Sequence, residues 1–343
     1  MTETFTGLLA TVSAGEDLSN EQMRGAIHQL ISGDCSDEEM GLFLSALAAK
    51  GETVAEVAGA AAAMRGRMTP IRSSHTQLLD TCGTGGGGSR TFNISTSAAL
   101  VIAAAGVPVA KHGNRSVTSR SGSADVLDQL GVNIGADIAQ VERCLDQLGI
   151  CFCFAPLMHP AMRHVAAVRK KLGIRTIFNL LGPLANPAGA KFQLLGVGRP
   201  ELRPLIASAL SMLQIERAFV VSGEDNLGEV TLSGTTHVSE VSPQGQRELQ
   251  WTPEMFGIER RALDEISIDG PEQSAAMIRK VLAGERGAAR DIVLLNAAAG
   301  LILANPSVEP EEAARKGAEA IDSGAAKDLL SRLVTVSHES SSH

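Results

Sequence analysis

The sequence predicts an α/β protein: a small N-terminal helical domain, then a large domain whose mainly parallel central sheet is flanked by helices. Three observations predict it. The first 70 residues carry helix-start signals and apolar positions at helical spacing, and from Gln77 short β-rich runs alternate with helical stretches. At 343 residues, the chain is also longer than one domain of roughly 150 residues requires.

The N-terminal helices are announced by three capping boxes, in which a hydroxyl caps the helix and an acid or amide three residues on bonds back. These are Ser19 with Gln22, Ser36 with Glu39, and Thr53 with Glu56. Behind them, Met23, Ile27, Leu30 and Ile31, then Met40, Phe43, Leu44 and Leu47, then Val54, Val57 and Ala58 recur at helical spacing. Strands follow at Leu78 to Cys82, Pro108 to Lys111, Cys151 to Ala155, Gln193 to Val197 and Ala218 to Ser222. The helices between them are Ser97 to Ala105, Val126 to Leu130, Ile138 to Leu148, Pro160 to Leu172 and Glu201 to Leu213. Residues Val230 to Trp251 read as strands joined by turns, and helices resume from Pro271 to Val334. The expected domains are 1–72, completed by helices within about 160–185, and 73–336, with a serine-rich, disordered tail at 337–343.

Composition excludes several classes. With 38 acids against 30 Lys and Arg, the net charge of −8 opposes a general nucleic-acid or anionic-membrane coat, which needs a basic surface. No basic region followed by an apolar core and cleavage site opens the chain, and no apolar run reaches about 18 residues, so neither secretion nor a membrane span is expected. Cys35, Cys82, Cys144, Cys151 and Cys153 form an odd set without zinc or thioredoxin spacing, which reads as reduced thiols in a cytoplasmic protein. The 35 glycines show no triplet period and point to tight backbone loops.

The most informative feature is where acids are missing. From Thr81 to Ala124 there is none, while Arg90, Lys111, Arg115 and Arg120 appear. From Leu157 to Pro200 there is again none, against Arg163, Arg169, Lys170, Lys171, Arg175, Lys191 and Arg199. Either these are solvated faces or they hold a small polyanion in a cleft; a nucleic-acid groove would spread basic charge and aromatics over a surface.

Inside the first stretch, Gly83-Thr84-Gly85-Gly86-Gly87-Gly88 follows a strand and precedes Thr91-Phe92-Asn93-Ile94-Ser95-Thr96. Glycines there let backbone approach phosphate oxygens, and the amide and hydroxyl side chains sit at the positive end of the next helix. Alone, the glycine run also reads as a plain tight turn. It lacks the lysine of a P-loop, and Lys111 stands where a dinucleotide-binding unit needs an acid. The next loop, from Lys111 to Asp125, offers Lys111 and Arg115 as charges, Ser119 and Ser123 as hydroxyls, and His112 and Asn114 as neutral directional groups for a second substrate. For His112, a structural hydrogen bond and a catalytic role are equally open.

The strand followed by GTGG, then FNIST, KHGNRS and SGSADVL, resembles the anthranilate phosphoribosyltransferases of tryptophan biosynthesis. HPAM at His159, VRKKLGIRT at Val168 and FNLLGPLANP at Phe178 extend the resemblance over nearly the whole chain. It implies a pentosyl-transferring glycosyltransferase that moves 5-phosphoribosyl from phosphoribosyl pyrophosphate to the amine of anthranilate, releasing pyrophosphate. It also implies that Gly83, Gly86, Gly87, Thr91, Asn93, Ile94, Ser95, Thr96, Lys111, Asn114, Arg115, Ser116, Ser119 and Ser123 hold the donor. Anthranilate would meet Gly83, His112, Asn114 and Arg169, with His112 the catalytic candidate. A homodimer through the N-terminal helices is implied as well, together with domain closure about 70–80 and 180–190.

Mg²⁺ is the implied cofactor, held by Ser95 and by an acidic pair that here reads Leu227-Gly228-Glu229. Glu229 is retained, Gly228 replaces an expected aspartate, and Gly87 replaces another in the glycine loop. Nearby Asp225 is a candidate helper. The competing readings are a pyrimidine nucleoside phosphorylase-like enzyme, against which KHGNRS speaks, and a non-catalytic binding homologue.

Overall fold

The computed structural model describes residues 4–85, 90–116 and 120–339. Four helices open the chain: α1 (Phe5–Ser13), α2 (Asn20–Ser32), α3 (Asp37–Lys50) and α4 (Val54–Arg65). All three capping boxes form, each hydroxyl accepting from the backbone nitrogen three residues on while that residue's side chain accepts from the cap nitrogen.

The chain then alternates: β1 (Leu79–Gly83), α5 (Ile94–Ala104), β2 (Val109–Gly113), α6 (Ser123–Leu130), α7 (Ile138–Leu148) and β3 (Ile150–Phe154). The short α8 (Ala155–Met158), α9 (Met162–Leu172) and the short α10 (Phe178–Leu181) lead to β4 (Phe192–Gly196). After α11 (Arg203–Met212) come β5 (Arg217–Gly223), β6 (Thr236–Ser242) and β7 (Gly245–Trp251). Four helices close the described chain: α12 (Pro271–Leu282), α13 (Ala288–Ala304), α14 (Pro310–Asp322) and α15 (Ala325–His338).

The seven strands form one sheet in the order β3-β2-β1-β4-β5-β6-β7. The first five are parallel, and the β6–β7 hairpin adds an antiparallel edge. Strand order reverses between β1 and β4, which opens a crevice at their carboxyl ends. There Gly83 pairs with Gly196.

Each face of the sheet carries its own core, because alternate side chains of a strand point to opposite faces. Phe219 and Val221 of β5 join Leu79, Ala110 and the apolar faces of α5, α7 and α13. Ala218 and Val220 join Leu195, Ile206 and the N-terminal helices. Val165 and Val168 of α9 and Phe178 and Leu181 of α10 sit in that second core, so α9 and α10 span from the helical region to the sheet edge that forms the crevice.

Several boundaries differ from the sequence reading for identifiable reasons. Helix α5 begins at Ile94, three residues earlier than expected, because Asn93 caps it by accepting from the Thr96 nitrogen at 3.1 Å. The strand expected from Val230 starts only at Thr236; the intervening residues form a turn tied by Asp225 to the hydroxyls of Thr231 and Ser233. Pro200 to Leu202 is a separate 3-10 turn before α11. The tail expected to be disordered from Ser337 is ordered further: α15 runs through His338, and Ser337 is buried with its hydroxyl accepting from the Asn133 nitrogen.

Candidate active site

The crevice is a cleft of about 420 Å³ between the carboxyl ends of the strands and the α9–α10 segment. Its sheet-side wall is built on β1, α5 and β2. Lys111 leaves β2 beneath its neighbour β1 and donates to the Thr81 carbonyl and to Ser95 Oγ at 3.1 Å. Thr81 Oγ1 in turn donates to the Ser95 carbonyl at 3.0 Å, so the first turn of α5 is bolted to β1. Asn93, Ile94 and Ser95 therefore face the cleft at a helix N-terminus, where backbone N–H groups and the helix dipole favour anions.

Charge on this wall is buried and balanced. Lys111 is 3% exposed; burial lowers its pKa, and Asp80, Cys82 and Glu229 oppose the shift. Burial raises Asp80, whose oxygens accept from the His112 nitrogen at 3.1 Å and Asn186 Nδ2 at 2.8 Å. Glu229 lines the cleft, and desolvation pushes it up to about 7 against the pull of Lys111. Its neighbour Gly228 fits because of a close backbone approach: a Cβ there would lie 2.9 Å from the Gly198 nitrogen, and one on Gly196 would strike the Gly228 carbonyl oxygen at 1.7 Å.

His112 lies at the floor of the cleft between its two walls. Its Nδ1 is 2.9 Å from the Gly182 carbonyl, which can only accept, so Nδ1 carries the proton and Nε2 is an acceptor. That Nε2 is buried and has no partner among the described residues, and the same holds for Nε2 of His159, whose ring centroid is 5.1 Å away. Desolvation, with His159 adding to it, brings the His112 pKa down to about 3; burial brings His159 to about 4. Both rings are neutral at pH 7.

The opposite wall is cationic. Arg169, near the end of α9, lies over the Phe178 ring with its guanidinium carbon 5.6 Å from the centroid. Its Nη2 donates to Asn179 Oδ1 at 3.2 Å, and the same oxygen accepts from the Thr176 nitrogen at 3.0 Å. Arg169 Nε and Arg175 Nη2 are buried without a hydrogen-bond partner among the described residues.

The expected site residues mostly converge. Gly83, Thr91, Asn93, Ile94, Ser95, Lys111, His112, Asn114, Arg115, Ser116, Ser123, Arg169, Gly228 and Glu229 all line the cleft. Thr96 does not: it lies 1% exposed on the inner side of α5, and only its backbone serves the cap. Gly86, Gly87 and Ser119 lie outside the described residues. Arg115, expected as a bare charge, is paired with Asp125 at 2.9 Å and Asp128 at 3.2 Å. Asp225 is no helper at the cleft, because its carboxylate accepts from the Leu227 nitrogen and the Thr231 and Ser233 hydroxyls.

Sequence reasoning passed over Arg175, Phe178 and Asn179 as site residues, although all three line the cleft. The signal was present, since they fall in the second acid-free stretch and in the GIRT and FNLL segments. Asp80 and Asn186 gave no signal of their own; their bond joins residues 106 apart in sequence.

With this geometry in view, comparison with known proteins is direct. Residues 75–327 match the model for the glycosyl transferase family a/b domain, and residues 6–68 match that family's helical bundle domain. An anthranilate phosphoribosyltransferase from Anaeromyxobacter sp. (strain Fw109-5) is 49% identical over 93% of this chain and 95% of its own. One from Rhodopirellula baltica is 48% identical over 96% of both chains. Among solved structures, the enzyme from Thermus thermophilus superposes with a TM-score of 0.90 at 42% identity, covering 97% of this chain and 99% of that one. The Saccharomyces cerevisiae enzyme in complex with PRPP and Mg gives 0.87 at 29% identity, covering 97% and 98%. Motifs, fold, cleft and relatives agree, and the chain belongs to the anthranilate phosphoribosyltransferase family.

Proposed function

We infer that this chain transfers the 5-phosphoribosyl group of phosphoribosyl pyrophosphate (PRPP) to the amine of anthranilate, releasing pyrophosphate, as a step of tryptophan biosynthesis. The observation that carries the reading is one cleft with two chemically different walls. Lys111, the α5 N-terminus and the adjoining loop suit a phosphorylated donor, and Arg169 across the cleft suits an aromatic carboxylate.

The residues then divide the chemistry. The arylamine is itself a nucleophile, so positioning and electrostatic support for a departing pyrophosphate account for most of the rate. Lys111, fixed by Thr81 and Ser95, presents positive charge toward the leaving group without reorganisation. Neutral His112, whose Nδ1–H is held by the Gly182 carbonyl, adds no further charge to the acceptor side and leaves the amine lone pair available.

Mg²⁺ belongs to the same reading. Ser95 Oγ and the Glu229 carboxylate are hard oxygen donors on one side of the cleft, and they fit an ion that takes one or two protein carboxylates and completes its shell with substrate phosphate and water. No preformed cluster of three or more His, Cys, Asp or Glu is found among the described residues. When bound, Mg²⁺ neutralises charge on the pyrophosphate.

The same reading includes a cytoplasmic homodimer. Five free cysteines, three of them buried, suit a reducing compartment, and no helix among the described residues is long and apolar enough to cross a membrane. Leu42 on α3 and Ile174 beyond α9 expose apolar side chains on elements that pack together, which supports pairing through the helical region.

Anthranilate fluorescence tests the reaction. Its loss on adding PRPP and Mg²⁺, slowed at least tenfold in Arg169→Ala, is the expected result. Folded parent protein that binds PRPP but leaves the fluorescence unchanged would overturn the reading.

A further inference from the structure

The second acid-free stretch contains seven cations, and the fold sorts them. Lys171 pairs with Asp37 and Lys191 with Glu216, acids brought from elsewhere in the chain, and Arg199 pairs with Glu201 two residues on. Arg163 and Lys170 are exposed and solvated. Arg169 and Arg175 remain: these two are half-buried and line the cleft, and neither makes a direct ion pair among the described residues, although Arg175 is near enough to Glu201 to help lower that carboxyl's pKa.

Local geometry brings both to the same cleft. Gly173 closes α9 in the left-handed conformation at φ 65°, its nitrogen donating to the Arg169 carbonyl. The reversal sends Ile174 outward, 47% exposed, and returns Arg175 to the cleft just before the buried Thr176. Arg169 Nε and Arg175 Nη2 are each left without an acceptor among the described residues of a protein of net charge −8. Leaving a buried donor on a charged group unsatisfied is unfavourable unless a ligand completes it. A carboxylate fits, since its two oxygens offer about four acceptor sites, enough for both guanidinium groups.

We propose that Arg175 is a second anchor for the carboxylate of the aromatic acceptor, sharing it with Arg169 across the Gly173 turn. The inference rests on the acceptor being anthranilate. Arg175 is a positioning and specificity residue, with no role in the departure of pyrophosphate.

Steady-state kinetics of Arg175→Gln and Arg175→Lys with both substrates test it. The expected result is a rise of about tenfold in the anthranilate KM of Arg175→Gln, the loss of one charge-assisted hydrogen bond, with kcat and the PRPP KM within about twofold of the parent. Arg175→Lys keeps the charge without the fork and rises about threefold. In a cycle with Arg169→Gln the two effects are non-additive, because both arginines act on one carboxylate.

A raised PRPP KM with an unchanged anthranilate KM overturns the proposal and assigns Arg175 to the donor. Unchanged constants for both substrates, or a fall in kcat and melting temperature alone in both variants, overturn it as well. Failure of the parent protein to consume anthranilate would instead remove the acceptor on which the proposal stands, so the two failures are distinguishable.

Discussion

The two walls of the cleft differ in how much of their bonding is already made. On the sheet side, Lys111, Ser95 and Asn93 are held by hydrogen bonds within the protein, and their positions are fixed by strand pairing and a helix cap. On the α9–α10 side, Arg169 Nε and Arg175 Nη2 are buried and unpartnered among the described residues, as are Nε2 of His112 on the floor and Nε2 of its neighbour His159. A wall bonded in advance holds a highly charged donor without reorganising. A wall with open donors and acceptors takes its final form only when a ligand supplies the missing partners, which favours specificity.

The largest expected effect breaks the fixed wall. Lys111→Met removes its cation and the link from β2 to β1 and α5, and kcat/KM for PRPP is expected to fall by about 10²-fold or more, read by fluorescence kinetics. On the open wall, Asn179→Ala removes the side chain that holds Arg169 Nη2, so the anthranilate KM is expected to rise by about tenfold while the PRPP KM stays unchanged.

Acidity sharpens the comparison at His112, on the floor of the cleft, and at its neighbour His159. Both histidine pKa values are depressed, so the unfolded chain takes up protons that the native rings refuse, and the rings' contribution to stability falls as pH drops below about 6.5, opposed in part by Glu229, whose raised carboxyl takes up its proton first in the native state. Each ring contributes at most about 1.4 kcal/mol per pH unit until its folded pKa is reached, at about 3 or 4. Urea denaturation at pH 7 and pH 5 of the parent and of His159→Gln measures the His159 share as the difference between the two losses, and the loss is smaller in the variant. Titration of these rings should leave no mark on kcat between pH 6 and 8.

The smallest effect lies outside both walls. Ser36→Ala removes the α3 cap and should lower stability by about 1 kcal/mol in a denaturant titration, with both KM values unaltered.

Much of this was legible in sequence because its causes are local. Capping boxes depend on residues three apart, and Ser36 with Glu39 forms as its spacing implies. The acid-free stretches contain the cations of both walls, since an anion site gains from few competing carboxylates, and Glu229 reaches the cleft from outside them. What was hidden depends on chain segments meeting in space. Arg115 looks bare in KHGNRS, yet α6 brings Asp125 and Asp128 against it. Thr96 belongs to a motif whose neighbours face the cleft, but the helical period turns its side chain inward. Arg175 was visible as a charge among seven, and only the fold shows that the others are paired or solvated.

The division of labour between the walls is tested most directly by calorimetric titration of PRPP with Mg²⁺ into the parent protein and into Arg169→Ala. The account predicts a PRPP Kd within about twofold of the parent in a variant that has lost most anthranilate turnover, because the donor wall is bonded without the acceptor wall. A loss of PRPP affinity as large as the loss of turnover would contradict it and make the two walls one coupled unit.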